Sequence, residues 1–325
     1  MTKLNNLLFK ILLISAAIFA VSLVFSKKER SEPKAIESAI LNPSHKSEVN
    51  LIEIQSDENG TGTITLKRQG DFWLLSKKGE NESEICTIAD SKIVGSLLEN
   101  AGKVRKIYKI TENESDYASL GISKSPGTTI VFSQNHDRVY TKVQFGYSNP
   151  LKNRIYFRSE ASKTVYETEN DFQQYLTAQT NYWSEGGIFP EIKNPVQITL
   201  KTNESSVVSA RKSFSLDEKS PDFLKNSHTL LSLRHGEIQS EATVANSKKI
   251  AAITIHDGSG RGARLDFFEK TEIPSNVESE KSYFYTKSVT PGEADSQETR
   301  FALYSERAAY EISSWTYERI LSIFK

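Results

Sequence analysis

From residue 49 onward one order of element types is run through twice, and that repetition limits the folds open to the chain more than any other feature. In the first pass "VNLIEIQ" alternates apolar and polar residues, "DENGTG" supplies a turn, "TITLKR" alternates again, and "DFWLLS" follows. Alternation of period two marks strands with one dry face. A helix comes next: Asp90 or Ser91 can cap it, and Ile93/Val94, Leu97/Leu98 and Ala101 recur at helical spacing. Tyr117, Leu120 and Ile122 form a short apolar knot, with Gly121 placed to end a turn in the left-handed region. "TTIVFS", "YTKVQFG", "NRIYFRS" and "KTVYET" read as further strands, and Phe172, Tyr175/Leu176 and Tyr182/Trp183 as one side of a closing amphipathic helix.

In the second pass "NPVQITLKT", "SSVVSARKS" and "FSLD" match the three opening strands. "PDFLKNSHTLLSLRHGEI" matches the helix, with Phe223/Leu224, Leu230/Leu231 and Leu233 as its apolar positions. "AAITIHDGSGRGARLDFF" matches "TTIVFSQNHDRVYTKVQF", and "KSYFYTKS" and "AAYEISSWTYERIL" match the aromatic-rich finish. The expectation is an α+β fold of mostly antiparallel sheets with packed helices, in two duplicated units at residues 49–190 and 191–325, each of roughly ordinary domain size.

The match also bears on "IHDGSGRG" at residues 255–262, which packs three glycines, a histidine, an aspartate, a serine and an arginine into one short stretch. A phosphate-cradling loop leads from a strand into a helix, whose N-terminus meets the anion. This stretch leads into another strand, so it reads as a hairpin turn whose glycines supply positive φ. Ile253 and Ile255 correspond to Ile130 and Phe132, and Leu265 and Phe267 to Val143 and Phe145, with a one-residue change of register across the turn.

Ahead of the repeat lies a different kind of segment. Residues 11–25 are apolar or small without a break, and the run extends to Leu7 across Lys10. A spanning helix needs ~20 such residues, and Lys10 can snorkel to the interface. We expect residues 1–26 to be an uncleaved signal-anchor helix, with residues 27–48 a polar stalk carrying Pro33 and Pro43. The alternative is a cleaved secretory signal, whose one candidate site, Ala20-Val21-Ser22, sits inside the apolar run. Lys3 and Lys10 on one side face Lys27, Lys28 and Arg30 on the other, so charge does not orient the helix. The short chain before it favours an amino terminus inside and a body outside the cytoplasm.

Lys+Arg and Asp+Glu both number 41, so nothing in the overall charge draws the chain to nucleic acid. One cysteine, Cys86, excludes an internal disulfide and a cysteine metal cluster, and its setting in "EICTIAD" suits a small packed hydrophobe. Of His45, His136, His228, His235 and His256, only His228 and His235 could share a helix face, and no metalloprotease pattern accompanies them. Ser259 between His256 and Arg261 is the nearest imitation of an activated nucleophile, but a crowded turn seldom gives the geometry. Glu82/Glu84 and Glu112/Glu114 read as solvated pairs, and Asn59, Asn81, Asn113 and Asn203 open glycosylation sequons. We therefore assign no catalytic, cofactor-binding or metal-ligating residue, expect no cofactor, and do not read the chain as an enzyme.

Trp73 in "GDFWLL", Ala89-Asp90 opening the helix, Leu97/Leu98, "YASLGISKSP", "VQFG" ending at Gly146 and the "RIYFRS…TVYET" pair resemble the bacterial family called domain of unknown function 4340. The resemblance covers residues 49–190, with the second unit matching more loosely. The chain departs in lacking a proline after the Trp strand and in having Gly121-Ile122 where the family mostly has Gly-Leu. The family brings no established catalytic residues. It implies an amino-terminal spanning helix and an association with auxiliary subunits of gliding-motility-type ABC transporters. The expectation is a single-pass, inner-membrane accessory or scaffold protein with an extracytoplasmic body and an integral membrane partner. An extracytoplasmic module binding a glycan, lipid or peptide is the alternative.

Overall fold

The computed structural model describes residues 34–57, 62–70, 72–78, 84–122, 127–203, 211–272, 280–290 and 307–324, with Ser15 and Gly292 as isolated positions. The expected anchor at residues 1–26 lies outside these residues apart from Ser15. Among the described residues no helix is long and apolar enough to cross a membrane. The architecture is sheet-rich α+β, with every ladder antiparallel.

The first sheet is built from β1 (Ala35–Ser38), β2 (Leu51–Ser56), β3 (Gly62–Gln69), β4 (Phe72–Lys78), β5 (Glu84–Ile88), β6 (Arg105–Thr111), β7 (Thr128–Ser133), β8 (Val139–Asn149), β9 (Arg154–Ser159) and β10 (Val165–Glu169). They lie in the order β1-β6-β10-β9-β8-β7-β2-β3-β4-β5. The alternation read in the sequence decides which side is dry. Ile52, Ile54, Ile64, Leu66, Ile130, Phe132, Val143 and Phe145 are buried on one face. Helix α1 (Ser91–Gly102) covers that face with Val94, Leu97 and Ala101. Asp90 is its cap, accepting from the backbone N–H groups of Lys92 and Ile93 at 2.8 and 3.3 Å.

The second sheet contains β11 (Pro195–Asn203), β12 (Arg211–Asp217), β13 (Ile238–Gln239), β14 (Lys248–Asp257), β15 (Gly262–Glu272), β16 (Glu280–Thr290) and β17 (Ala309–Ile312). Their order is β12-β11-β14-β15-β16-β17-β13. Its core gathers Ile198, Leu200, Phe223, Leu230, Ile253, Ile255, Leu265, Phe267 and Tyr285. Ile85 of β5 and Ile188, Phe189 and Ile192 belong to this core as well, so chain from before and after the first sheet's closing strands seals the second.

Several elements depart from the sequence reading. "RKS" and "FSLD" form one strand, β12, because Phe214 and Leu216 continue the pairing with Leu200 and Ile198 of β11. Aromatic positions 172–183 do not lie on one helix. A 3₁₀ turn (Gln173–Tyr175) and a four-residue helix α2 (Thr180–Trp183) replace it, and the Trp183 indole N–H donates to the Thr177 carbonyl at 2.8 Å. Phe172, Tyr175, Leu176 and Trp183 are buried all the same. Helix α3 (Phe223–Leu231) ends before His235, and its Leu224 is 82% exposed rather than packed. The segment expected as a stalk contains β1, paired with β6, and a 3₁₀ turn (Pro43–Glu48), while Leu41 is fully buried and donates its N–H to Ala101 O. Helix α4 (Ser314–Ser322) is capped by Ser313.

The apolar knot at Tyr117–Ile122 lies against β8. Gly121 has φ 72°, and a Cβ there would meet the Tyr147 backbone N at 2.7 Å. A Cβ on Gly146 would stand 2.1 Å from Leu120 O. We expect Gly121→Ala and Gly146→Ala each to cost more than the ~1 kcal/mol of a strain-only glycine change, because backbone must move. Trp73 is 7% exposed inside the first core, so Trp73→Ala should cost about 3–5 kcal/mol in urea unfolding. A Gly146→Ala protein as stable as the parent would refute the close-approach reading.

Candidate functional site

The face of the first sheet opposite its core carries a groove of about 390 Å³. Its floor is fixed by register. Gln55 on β2 pairs with Thr129 on β7, Thr129 with Gln144 on β8, and Gln144 with Arg158 on β9. Residues directly opposite in a ladder point to the same side, so the four side chains form one row across four strands. Asp57, Gly127, Lys142 and Glu160 complete the lining. Lys142 and Glu160 neutralise each other at 2.7 Å. Arg158 donates to Ser162 O at 3.3 Å and to Gln144 Oε1 at 3.4 Å, and its guanidinium lies 5.2 Å over the Tyr117 ring. Tyr117 is itself held by a hydrogen bond to Lys163 O. Gly127 leaves room for Gln144: a Cβ there would come within 3.3 Å of Nε2. Two segments that carry the family resemblance, "VQFG" and "RIYFRS", thus supply Gln144 and Arg158.

A second polar group is sealed where the two sheets meet. Thr87 Oγ1 on β5 and the Tyr310 hydroxyl on β17 are 2.7 Å apart. Tyr310 stacks on Tyr285 at 4.8 Å, and the Lys287 ammonium reaches Glu191 Oε1 at 2.5 Å with both side chains almost wholly buried. Burial pulls the Lys287 pKa down, but the Glu191 carboxylate and other neighbours more than offset it and leave it raised. Burial pushes the Tyr285 and Tyr310 hydroxyls up. The Thr87–Tyr310 hydrogen bond joins the two sheets beside the buried Lys287–Glu191 pair, so these groups act as a polar lock between them.

The sequence-suggested residues disperse. Residues 255–262 form the β14–β15 hairpin, with Asp257 N–H donating to Arg261 O at 2.9 Å. Asp257 Oδ1 fills the turn, accepting from Ser259 N, Ser259 Oγ and Arg261 N at 2.9, 2.6 and 3.1 Å. A carboxylate already occupies the place an anion would take, and the Ser259 proton is committed to it. Arg261 Nη1 donates outward to Glu191 O at 2.9 Å. Of the three glycines only Gly260 has positive φ; Gly262 is there because a Cβ would strike the His256 ring at 2.8 Å. In the β7–β8 ladder the register shifts by one residue at Tyr140, an extra residue on β8, and not in the turn.

The histidines do not meet. His45 stacks on Tyr140 at 4.4 Å, His136 is exposed in the β7–β8 turn, and His228 is exposed in the last turn of α3. His235 stands beyond that helix with Nε2 2.8 Å from Glu185 O and Nδ1 2.9 Å from Gly236 O. Among the described residues no His, Cys, Asp or Glu group could hold a metal. Cys86 is half-buried on β5. Glu112 pairs with Lys109 and Glu114 with Lys163, Asn113 caps a 3₁₀ turn, and Asn203 ends β11. Glu82, the Glu84 side chain, Asn59 and Asn81 lie outside the described residues.

The family described as "Domain of unknown function (DUF4340)" matches residues 80–252. None of the curated proteins or solved structures compared with the chain matches it.

Two measurements test the lock. Lys287→Met leaves the Glu191 carboxylate buried without its ammonium partner and should cost about 3–5 kcal/mol, much of it recovered in Lys287→Met/Glu191→Met. A double variant no more stable than the single one would show that the pair is not the unit. Burial, ahead of the opposing carbonyl contacts, holds the His235 pKa below its ordinary value. The unfolded chain therefore binds a proton first as pH falls, and stability should drop below about pH 6.5. Thermal unfolding of His235→Gln should lose less between pH 7.5 and 5.5 than the parent; equal losses would remove His235 as a cause.

Proposed function

The chain belongs to the DUF4340 family, and from that premise we propose that it is a membrane-anchored accessory or scaffold protein, its body outside the cytoplasm and its partner an integral membrane protein such as an ABC-type permease. The supporting observation is how early the fold takes hold of the chain. β1 begins at Ala35 and is paired with β6, and Leu41 and Val49 are fully buried. If residues 1–26 span the bilayer, the chain from Ser26 to Ala35 reaches at most about 30 Å when fully extended. A body tethered that closely stays at the height of loops and domains projecting from a neighbouring membrane protein. Confinement to the membrane raises its effective concentration toward such a partner, which favours a weak protein contact over turnover of a freely diffusing solute.

The same reading includes an internal duplication. The order β3-β2-β7-β8-β9-β10-β6 in the first sheet parallels β12-β11-β14-β15-β16-β17-β13 in the second. The hairpins agree in detail, with Gln134 N–H donating to Arg138 O at 3.0 Å as Asp257 N–H does to Arg261 O at 2.9 Å. On this account β1, β4 and β5 are additions particular to the first unit.

Crosslinking in intact membranes should recover the integral partner with the full chain. A version exported with a cleavable signal in place of residues 1–26 should recover far less. Full function restored by that released body, with no membrane partner captured, would replace the scaffold reading with a soluble binding protein.

A further inference from the structure

We propose that the groove on the open face of the first sheet binds a short peptide with free termini, its carboxylate at Arg158 and its ammonium at Asp57. Charge is the first argument. Lys142 and Glu160 cancel, whereas among the described residues Arg158 has no carboxylate partner, and it is anchored by Tyr117, Ser162 O and Gln144. A guanidinium fixed in place without a counter-ion loses little entropy on taking a carboxylate. Asp57, at the β2 end, carries the one other charge of the lining that is not spent within the groove. Cation and anion therefore sit at opposite ends.

Spacing is the second argument. Arg158 on β9 and the β2 end of the row are three strand intervals apart, about 14 Å at the usual ~4.8 Å separation. An extended peptide advances ~3.3–3.6 Å per residue, so about four residues fill the span. Between the charges stand Gln55, Thr129 and Gln144, each able both to donate and to accept. A peptide backbone, with N–H and C=O groups in alternation, matches that row. The lining holds no apolar side chain for a lipid tail and no aromatic ring on which a sugar could stack.

The site is independent of the anchor and of the partner, so the experiment separates the two readings. The full chain in mild detergent is titrated calorimetrically with tetraalanine, with N-acetyl-tetraalanine amide and with maltotetraose. Tetraalanine should bind. Capping its termini should weaken binding at least about tenfold, as should Arg158→Gln and Asp57→Asn separately. Among the described residues Asp57 makes no hydrogen bond or ion pair, so the thermal unfolding of Asp57→Asn should match the parent, and a matching transition separates its loss of binding from misfolding. Tighter binding of maltotetraose, equal binding by the parent and both variants, or no heat with tetraalanine at about 10 mM would each overturn the assignment.

Discussion

The antiparallel register of the first sheet is the constraint on which the rest depends. Side chains alternate with period two, so the pairing that buries Ile54, Ile130 and Val143 in one row aligns Gln55, Thr129, Gln144 and Arg158 in the next, on the other side. Core and groove are two faces of a single choice. A one-residue slip of β2 would bury Gln55 and expose Ile54 and Ile52, losing two fully buried side chains and the groove together. The bulge at Tyr140 sits near the β7–β8 turn and leaves the row intact. The displaced tyrosine binds Glu48 at 2.6 Å and stacks on His45, holding the segment that precedes β2.

A sheet this broad must also manage its edges. β1 has four residues with one partner strand, which leaves little template for another chain. β5, at the other edge, is closed by the Ala89–Ser184 bridge and by the second sheet through Thr87 and Tyr310. The buried Lys287–Glu191 pair beside it adds direction, since an ion pair tolerates fewer geometries than apolar contact does. That pair lies close to where the Arg261 side chain reaches Glu191 O, so the glycine-rich hairpin has a structural task. Its internal Asp257 carboxylate already saturates the amides that an anion would need.

What the sequence disclosed followed element by element from local physics. The interior strands were legible because each has one wet and one dry face, and α1 because Asp90 precedes a helical run of apolar residues. β1 and β6 were not, although "RKIYKIT" does alternate. β1 is only four residues long, and β6 carries an arginine and two lysines near a sheet margin, where lysines are tolerated and the hydrophobic signal is diluted. The expected helix over the aromatics failed for a different reason: burial of Phe172, Tyr175 and Trp183 was foreseen correctly, but the Trp183 indole takes the Thr177 carbonyl and fixes a broken path. The groove could not be read at all. Its residues come from four strands far apart in sequence, and each alone is an ordinary solvent-face residue until register lines them up.

The family span sharpens what the groove means. Residues 80–252 run from just before β5 to the interior of β14, so the matched span takes part of each sheet, with Thr87 and Glu191 of the lock but not Tyr285, Lys287 or Tyr310. That span contains Thr129, Gln144, Arg158 and the Gly127 that makes room for Gln144. It leaves out Gln55 and Asp57 on the β2 side. The cationic end of the groove, with Tyr117 beside it, therefore lies within the residues that the family model matches, and the acidic end lies outside them. A carboxylate is the part of a ligand that such an arginine recognises, whatever follows it. Arg158 and Asp57 thus stand on opposite sides of the family match in sequence, and strand register is what brings them to one groove.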